Sequence, residues 1–228
     1  MGIAERYETM TPREKLDYGI CRDHRDKMRD MLSLSTSVRE NKFCQARAAN
    51  PNSICAHCYA ETNCKMHPDL ARKLKRNTDF LCGYELKPED IPVINAAYFR
   101  LESFGDLNAG KGGEIQFKNY LKICERNPWV HFAIWTKNPM VMRKVFAKGI
   151  RKPENLVIVY SSPKLNSAVS MRQMKAAYPF IDKIFTVYDS NTIKKRKVHI
   201  NCGGNYCMGC LRCYHRDNGE DIINEKKK

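Results

Sequence analysis

Short β-branched and aromatic runs alternate along this chain with stretches whose apolar residues recur at helical spacing. Thr11-Pro12-Arg13-Glu14 is a capping box with proline at the first helical position, which predicts a helix from there to residue 29, weakened by Gly19. Residues 31–35 read as a first strand, Pro51-Asn52-Ser53 as a loop and residues 69–81 as a helix. Beyond them, residues 93–101, 129–135, 156–160 and 183–188 read as strands, separated by helical stretches at 114–126, 139–148 and 167–178. This alternation predicts βα units on a mostly parallel sheet. Five such units are too few for an eight-fold barrel, so the expected α/β fold is an open, partial (βα) barrel. A single domain over 1–228 is expected, with an N-terminal helix 11–29, a βα core 31–190 and a cysteine-rich segment 198–216. In such a sheet the polar residues just past each strand's C-terminal end line the site. Those are Glu102, Asp106, Thr136, Lys137, Ser161, Ser162 and Asp189. The glycine-rich stretch Asn108 through Gly113 reads as a flexible rim loop, a candidate lid.

The cysteines add chemistry to that frame. Eight of the eleven lie in two windows: Cys44, Cys55, Cys58 and Cys64, then Cys202, Cys207, Cys210 and Cys213. Thiolates this dense are soft ligands, suited to zinc or to iron–sulfur clusters. Cys44, Cys55 and Cys58 follow the first strand. Three thiolates on a [4Fe–4S] cube leave one iron open to a small molecule, whereas a fourth from Cys64 closes the set. The second window, with consecutive Cys-x2-Cys-x2-Cys, is the ferredoxin-like arrangement, here with Tyr214 in place of the following proline. Gly203, Gly204 and Gly209 let the backbone wrap a cluster. A four-cysteine zinc site fits either window, and a single zinc shared by Cys55, Cys58, Cys207 and Cys210 is a further alternative. Cys21, Cys82 and Cys124 fall in helical stretches and read as ordinary thiols. His57, His67, His199 and His215 flank the windows as hydrogen-bonding neighbours.

Composition narrows the partners. The 228 residues are 43% hydrophobic and 29% charged, a globular balance, and no apolar run is long enough to span a membrane. The N-terminus has no secretory pattern, and the odd cysteine count argues against a disulfide framework, so a reducing cytoplasmic setting is expected. A net charge of +15 favours polyanionic partners, nucleic acid or nucleotide. Lys194-Lys195-Arg196-Lys197 and Lys226-Lys227-Lys228 concentrate that charge.

Cys55-Ala56-His57-Cys58-Tyr59-Ala60, Arg100-Leu101-Glu102-Ser103-Phe104-Gly105-Asp106 and Trp135-Thr136-Lys137, with the closing cysteine run, together resemble the phage gene product 88 family. The likeness spans roughly residues 32–214. A remoter likeness is to radical S-adenosylmethionine (SAM) enzymes, whose partial barrel carries three cysteines after its first strand. That resemblance implies a catalytic cluster on Cys44, Cys55 and Cys58, and SAM chelated at the open iron. It further implies a rim of Glu102, Gly105, Asp106, Thr136 and Ser161 against the cofactor, Asp106 and Lys137 nearest the chemistry, and a flavodoxin- or ferredoxin-like reductant. Ten residues separate Cys44 from Cys55 where the common pattern has three, and Phe104-Gly105-Asp106 stands where those enzymes carry Gly-Gly-Glu. A metal-stabilised nucleic-acid-binding protein and a redox or iron sensor are the competing expectations.

Overall fold

The computed structural model describes residues 3–24, 26–204 and 206–227. Its elements run α1 (Ile3–Thr9), α2 (Pro12–Gly19), β1 (Cys21–Arg22), β2 (Leu32–Leu34), α3 (Lys42–Ala48), α4 (Tyr59–Met66), α5 (Pro68–Gly83) and β3 (Tyr98–Leu101). They continue with α6 (Gly110–Arg126), β4 (His131–Thr136), α7 (Pro139–Phe146), β5 (Leu156–Ser161), α8 (Met171–Ala177), β6 (Lys183–Tyr188), α9 (Ser190–Arg196), α10 (Cys207–Cys210) and β7 (Ile222–Lys226). The seven strands form one sheet in sequence order. β1 pairs antiparallel with β2, and every later neighbour is parallel. β7 pairs with β6 alone, so the sheet stays open. Among the described residues, no helix is long and apolar enough to cross a membrane.

Alternation along the strands sends side chains to two different cores. Phe99 and Leu101 of β3, Phe132 and Ile134 of β4, and Leu156 and Ile158 of β5 pack with Leu81, Phe117, Tyr120, Val141 and Val145 from α5, α6 and α7. Phe99, Phe117, Tyr120 and Phe132 are fully buried there. Each contributes ~1.5–3 kcal/mol of burial, on the usual scale for large apolar side chains. The intervening residues, Ala133, Trp135, Val157 and Val159, face the other way and pack with Met31 and Tyr214. Among the described residues, the only α-helix against this second face is the short α10. Cys207, Met208, Leu211 and Cys213 of the second cysteine window lie against this face.

The same segment spans the gap between the sheet's two ends. The Lys27 ammonium, from the turn between β1 and β2, pairs with the Glu225 carboxylate on β7. Tyr206 donates its hydroxyl to Asp30 Oδ2 at 2.8 Å and lies under the Arg29 guanidinium. Cys202 N–H donates to the Asn224 carbonyl at 3.0 Å, extending pairing one residue past β7. At the far end, buried Lys183 donates to Asn218 Oδ1 (2.7 Å) and the Glu220 carbonyl (2.8 Å), and Arg216 donates to the Leu156 carbonyl (2.8 Å).

Several expectations are corrected. The helix expected over 11–29 ends at Gly19, where Ile20 takes an extended backbone and the chain turns at once into β1. Cys21 is therefore in a strand, not a helix. The βα core does not stop at 190: β7 adds a last parallel strand that contains Lys226. The candidate lid over Asn108–Gly113 is mostly the first turn of α6. Its glycine is needed for contact and not for motion, since a Cβ on Gly113 would lie 1.9 Å from the Asn108 carbonyl oxygen.

That contact generates a stability prediction. Gly113→Ala is expected to lower unfolding free energy by ~1–3 kcal/mol through overpacking, read as a fall in the urea midpoint at constant slope. A lid glycine would leave the midpoint unchanged.

Candidate functional site

The ends of β2, β3 and β4 and the first cysteine window are joined by one buried polar network. Just past β3, Glu102 is 2% exposed and takes a left-handed backbone, φ 56°, which turns the chain across the sheet's rim. Its carboxylate accepts from the Tyr120 hydroxyl, from Gln116 Nε2 (2.7 Å), and from Thr36 Oγ1 (2.9 Å) and N–H (3.2 Å). Gly105 allows this crowding: a Cβ there would lie 2.6 Å from both Glu102 Oε2 and the Thr36 carbonyl oxygen. Burial, outweighing those donors, pushes the Glu102 carboxyl up to about 7.

Asp106 joins β3 to β4. Its carboxylate accepts from Leu107 N–H (2.7 Å), the Thr136 hydroxyl (2.5 Å) and Lys137 N–H (2.8 Å). The Asp106 carbonyl accepts from Asn41 Nδ2 at 2.6 Å. Asn41 in turn caps α3, its Oδ1 accepting from Phe43 N–H (2.9 Å) and Cys44 N–H (3.1 Å). Cys44 is thus hung from the rim by a single asparagine. Cys55 is fixed in the same way from another strand: Ser53 Oγ accepts its N–H at 3.1 Å, and Ile54 N–H donates to the Pro163 carbonyl beyond β5 at 2.9 Å. Tyr59, next to Cys58, donates its hydroxyl to the Ser103 carbonyl while its ring stays open to solvent beside Phe104.

Electrostatics sort these thiols. Burial drives the Cys44 thiol far up, helped by the charges of Asp106 and Glu102 and by Cys55, while Lys137 opposes. Burial also raises the Asp106 carboxyl, again against Lys137. The Lys137 side chain is half-buried and makes no ion pair among the described residues. Cys64 faces a different neighbourhood. It is buried on α4, its thiol raised first by burial, with Arg39 opposing and Glu61 and Cys58 adding to the rise. Arg39 and Glu61 form an ion pair at 2.9 Å.

In the second window, burial raises the thiols of Cys202, Cys207 and Cys213, the last to about 12. The charges of Cys202, Cys207 and Cys210 all add to the rise at Cys213, so the four sulfurs share one field. Lys27 opposes the rise at Cys202 and Cys207, and Arg100 opposes it at Cys207 and Cys213. Arg100 projects from β3 with its guanidinium 3.4 Å above the Trp135 ring. A cavity of about 390 Å³ opens beside Cys210, lined by Tyr206, Gly209 and Arg212. Among the described residues, no three His, Cys, Asp or Glu side chains converge on one point as single-ion ligands. Thiols are the ligand type that the sequence reading requires for a metal or cluster. With thiols raised this far, binding has to displace protons, which couples loading to pH.

Residues 16–226 match the family model described as gene product 88. The chain belongs to the gene product 88 family. The gene product 88 match runs from α2 to the last residue of β7 and so contains both cysteine windows. No curated protein and no solved structure matches the chain.

The rim residues expected from sequence are brought together unevenly. Glu102, Gly105, Asp106, Thr136 and Lys137 lie in the network, with Thr136 fully buried and committed to Asp106 and Asn138. Ser161 is buried at the end of β5. Asp189 stands apart, capping α9 through Thr192 N–H (2.7 Å) and accepting from Asn166 (2.6 Å). Asn41, Thr36, Gln116 and Tyr120 were not foreseen. The one visible signal for an overlooked group was Arg100, a cation inside the apolar run Tyr98-Phe99-Arg100-Leu101.

The raised Glu102 carboxyl has a testable sign. The folded chain holds that proton up to about 7, against 4.5 for an ordinary glutamate, so it binds more protons than the unfolded chain between those values. Stability from this group therefore falls as pH rises through that window, by roughly 3 kcal/mol, and is flat above it. Urea midpoints from pH 4.5 to 8 should show the fall in the native chain and a flatter curve in Glu102→Gln.

Proposed function

We propose that this gene product 88 protein is an iron–sulfur enzyme of the radical-SAM type. On this reading a [4Fe–4S] cluster sits on Cys44, Cys55 and Cys58 with one iron left for SAM, a second cluster sits on Cys202, Cys207, Cys210 and Cys213, and the open sheet is a partial barrel. What carries the reading is the tether of the first window. Cys44 hangs from Asn41 and Asp106, and Cys55 from the loop beyond β5, so the backbone of this window is tied to the C-terminal ends of parallel strands, where such sheets bind ligands. The reading leaves Cys64 outside the ligand set, beside the Arg39–Glu61 pair and next to Cys58.

When bound, the cluster and SAM supply one-electron reduction and hydrogen abstraction; the chain supplies orientation and a dry rim. Lys137 is the free cation at that rim and would pair with a ligand carboxylate. Asp106, whose oxygens already hold three donors, acts as a positioning residue that keeps Thr136, Lys137 and Cys44 in register. Glu102 and Gly105 keep the turn beneath them, and Ser161 closes the β5 side. An acidic one-electron carrier of the flavodoxin or ferredoxin kind would serve as reductant.

Anaerobically purified protein is expected to be brown, with iron and acid-labile sulfide. SAM should perturb the paramagnetic resonance of the reduced chain, and reduction should release 5′-deoxyadenosine. Cys64→Ala should keep both properties and Cys58→Ala lose them. Colourless protein with stoichiometric zinc, or loss of the SAM response in Cys64→Ala, would end the proposal.

A second reading, nucleic-acid binding, draws on the exposed basic end of α9, where Lys194, Lys195 and Arg196 lie side by side. Neutralising these three with Lys197 should flatten the salt dependence of RNA or DNA binding by roughly three to four charges. An unchanged slope would make α9 a solubility feature.

A further inference from the structure

Among the described residues, two buried polar atoms on the sheet's inner face have no partner: Arg100 Nε and the Tyr214 hydroxyl. They belong to one small constellation. The Arg100 guanidinium lies 3.4 Å above the Trp135 ring, the Tyr214 ring meets the same indole edge-on at 6.0 Å, and Cys207 and Cys213 pack against this group. The recorded polar contact of the Arg100 side chain is weak, from Nη1 to the Met28 sulfur at 3.8 Å, and no carboxylate pairs with it among the described residues. Such a pair is anomalous, because a buried donor without an acceptor is destabilising on the scale of a lost hydrogen bond or more. A cation and a hydroxyl left unsatisfied side by side, against two cysteines, describe a place prepared for sulfur-rich negative charge.

We infer that Arg100 and Tyr214 are hydrogen-bond donors to the metal–sulfur group of the second window, and that they set its reduction potential. The inference rests on the proposed cluster at Cys202, Cys207, Cys210 and Cys213 and adds two residues outside that ligand set. Thiolate and sulfide sulfurs are the acceptors these atoms lack. Hydrogen bonds to them favour the more negative, reduced state and so raise the potential. Arg100 also supplies a fixed positive charge beside four thiolates, in the role that Lys27 fills from the other side. Stacking on Trp135 holds the guanidinium in place without consuming its N–H groups.

The test uses the full chain as wild type, Tyr214→Phe, Arg100→Lys and Arg100→Met, each reconstituted anaerobically with iron and sulfide. Tyr214→Phe removes one oxygen atom and is the variant least able to disturb folding. Metal-free Tyr214→Phe should melt no lower than wild type, since its hydroxyl has no partner to lose. Loaded with wild-type iron and sulfide, it should show one reduction step shifted toward harder reduction by about tenfold in equilibrium, ~59 mV for one electron. Arg100→Met should shift the same step further, and Arg100→Lys, which keeps the charge but not the Nε–H, should fall between. A fully loaded Tyr214→Phe with every step at the wild-type potential would overturn the inference while leaving the cluster reading intact. Wild-type protein that takes up no iron and sulfide at this window would overturn both.

Discussion

A parallel sheet exposes no face that water can satisfy cheaply, because its strands are apolar on both sides. Here the helices cover one face, and residues 197–221, between α9 and β7, supply cover for the other. Those residues contain the second cysteine window. Tyr214, Met208, Leu211 and the thiols of Cys207 and Cys213 supply the apolar cover, and the segment has little regular structure of its own beyond α10. It is held by ties at its ends: Lys27 to Glu225, Tyr206 to Asp30, Lys183 to Asn218 and Arg216 to Leu156. Placement of these cysteines is therefore first a consequence of closing the sheet's open face. Any metal they hold acts on the same closure, so ligation there is a folding contribution as well as chemistry.

At the rim the constraint is electrostatic. The chain carries a large positive excess, yet Glu102 and Asp106 are both buried, and the charge of Asp106 adds to the cost of ionising Glu102. Donors offset that cost unequally. Asp106 is held by two backbone N–H groups and a hydroxyl, and it lies near Lys137. Glu102 is held by Tyr120, Gln116 and Thr36, all neutral. Its carboxyl consequently reaches about 7. The exposed basic end of α9 lies away from this pair, and Lys137 is the cation that opposes the rise at Asp106.

What the sequence displayed follows from what each signal depends on. β4, β5 and β6 were legible as short β-branched and aromatic runs buried on both faces, and α5, α6 and α7 because a helical period survives where one face packs. The cysteine windows were legible by spacing alone. The helix across 11–29 was overread because Gly19 looked like a tolerated weakness, whereas it is the last helical residue and Ile20 is already extended. β7 was missed because Ile222-Ile223-Asn224-Glu225-Lys226 is half polar, with Asn224 committed to Thr186 and Glu225 to Lys27. Asn41 and Tyr214 gave no local sign, since their roles lie in partners brought close only by the fold, such as Asn41 with Asp106, 65 residues away.

β3 is the element on which the two halves of the molecule converge. Across four residues it sends Phe99 and Leu101 into the helical core and Arg100 toward the second window, and it then turns at Glu102 into the residues that anchor the first. It is hydrogen-bonded on both sides, to β2 and β4, whose own ends carry Thr36 and Thr136 in the rim network. A displacement of Arg100 on the inner face cannot be absorbed by slack in so short a strand. A one-residue slip would exchange its faces and put the guanidinium into the core. The rim and the inner face are thus held in fixed register by backbone pairing, the first cysteine window tied to the end of this strand and the second packed on its face.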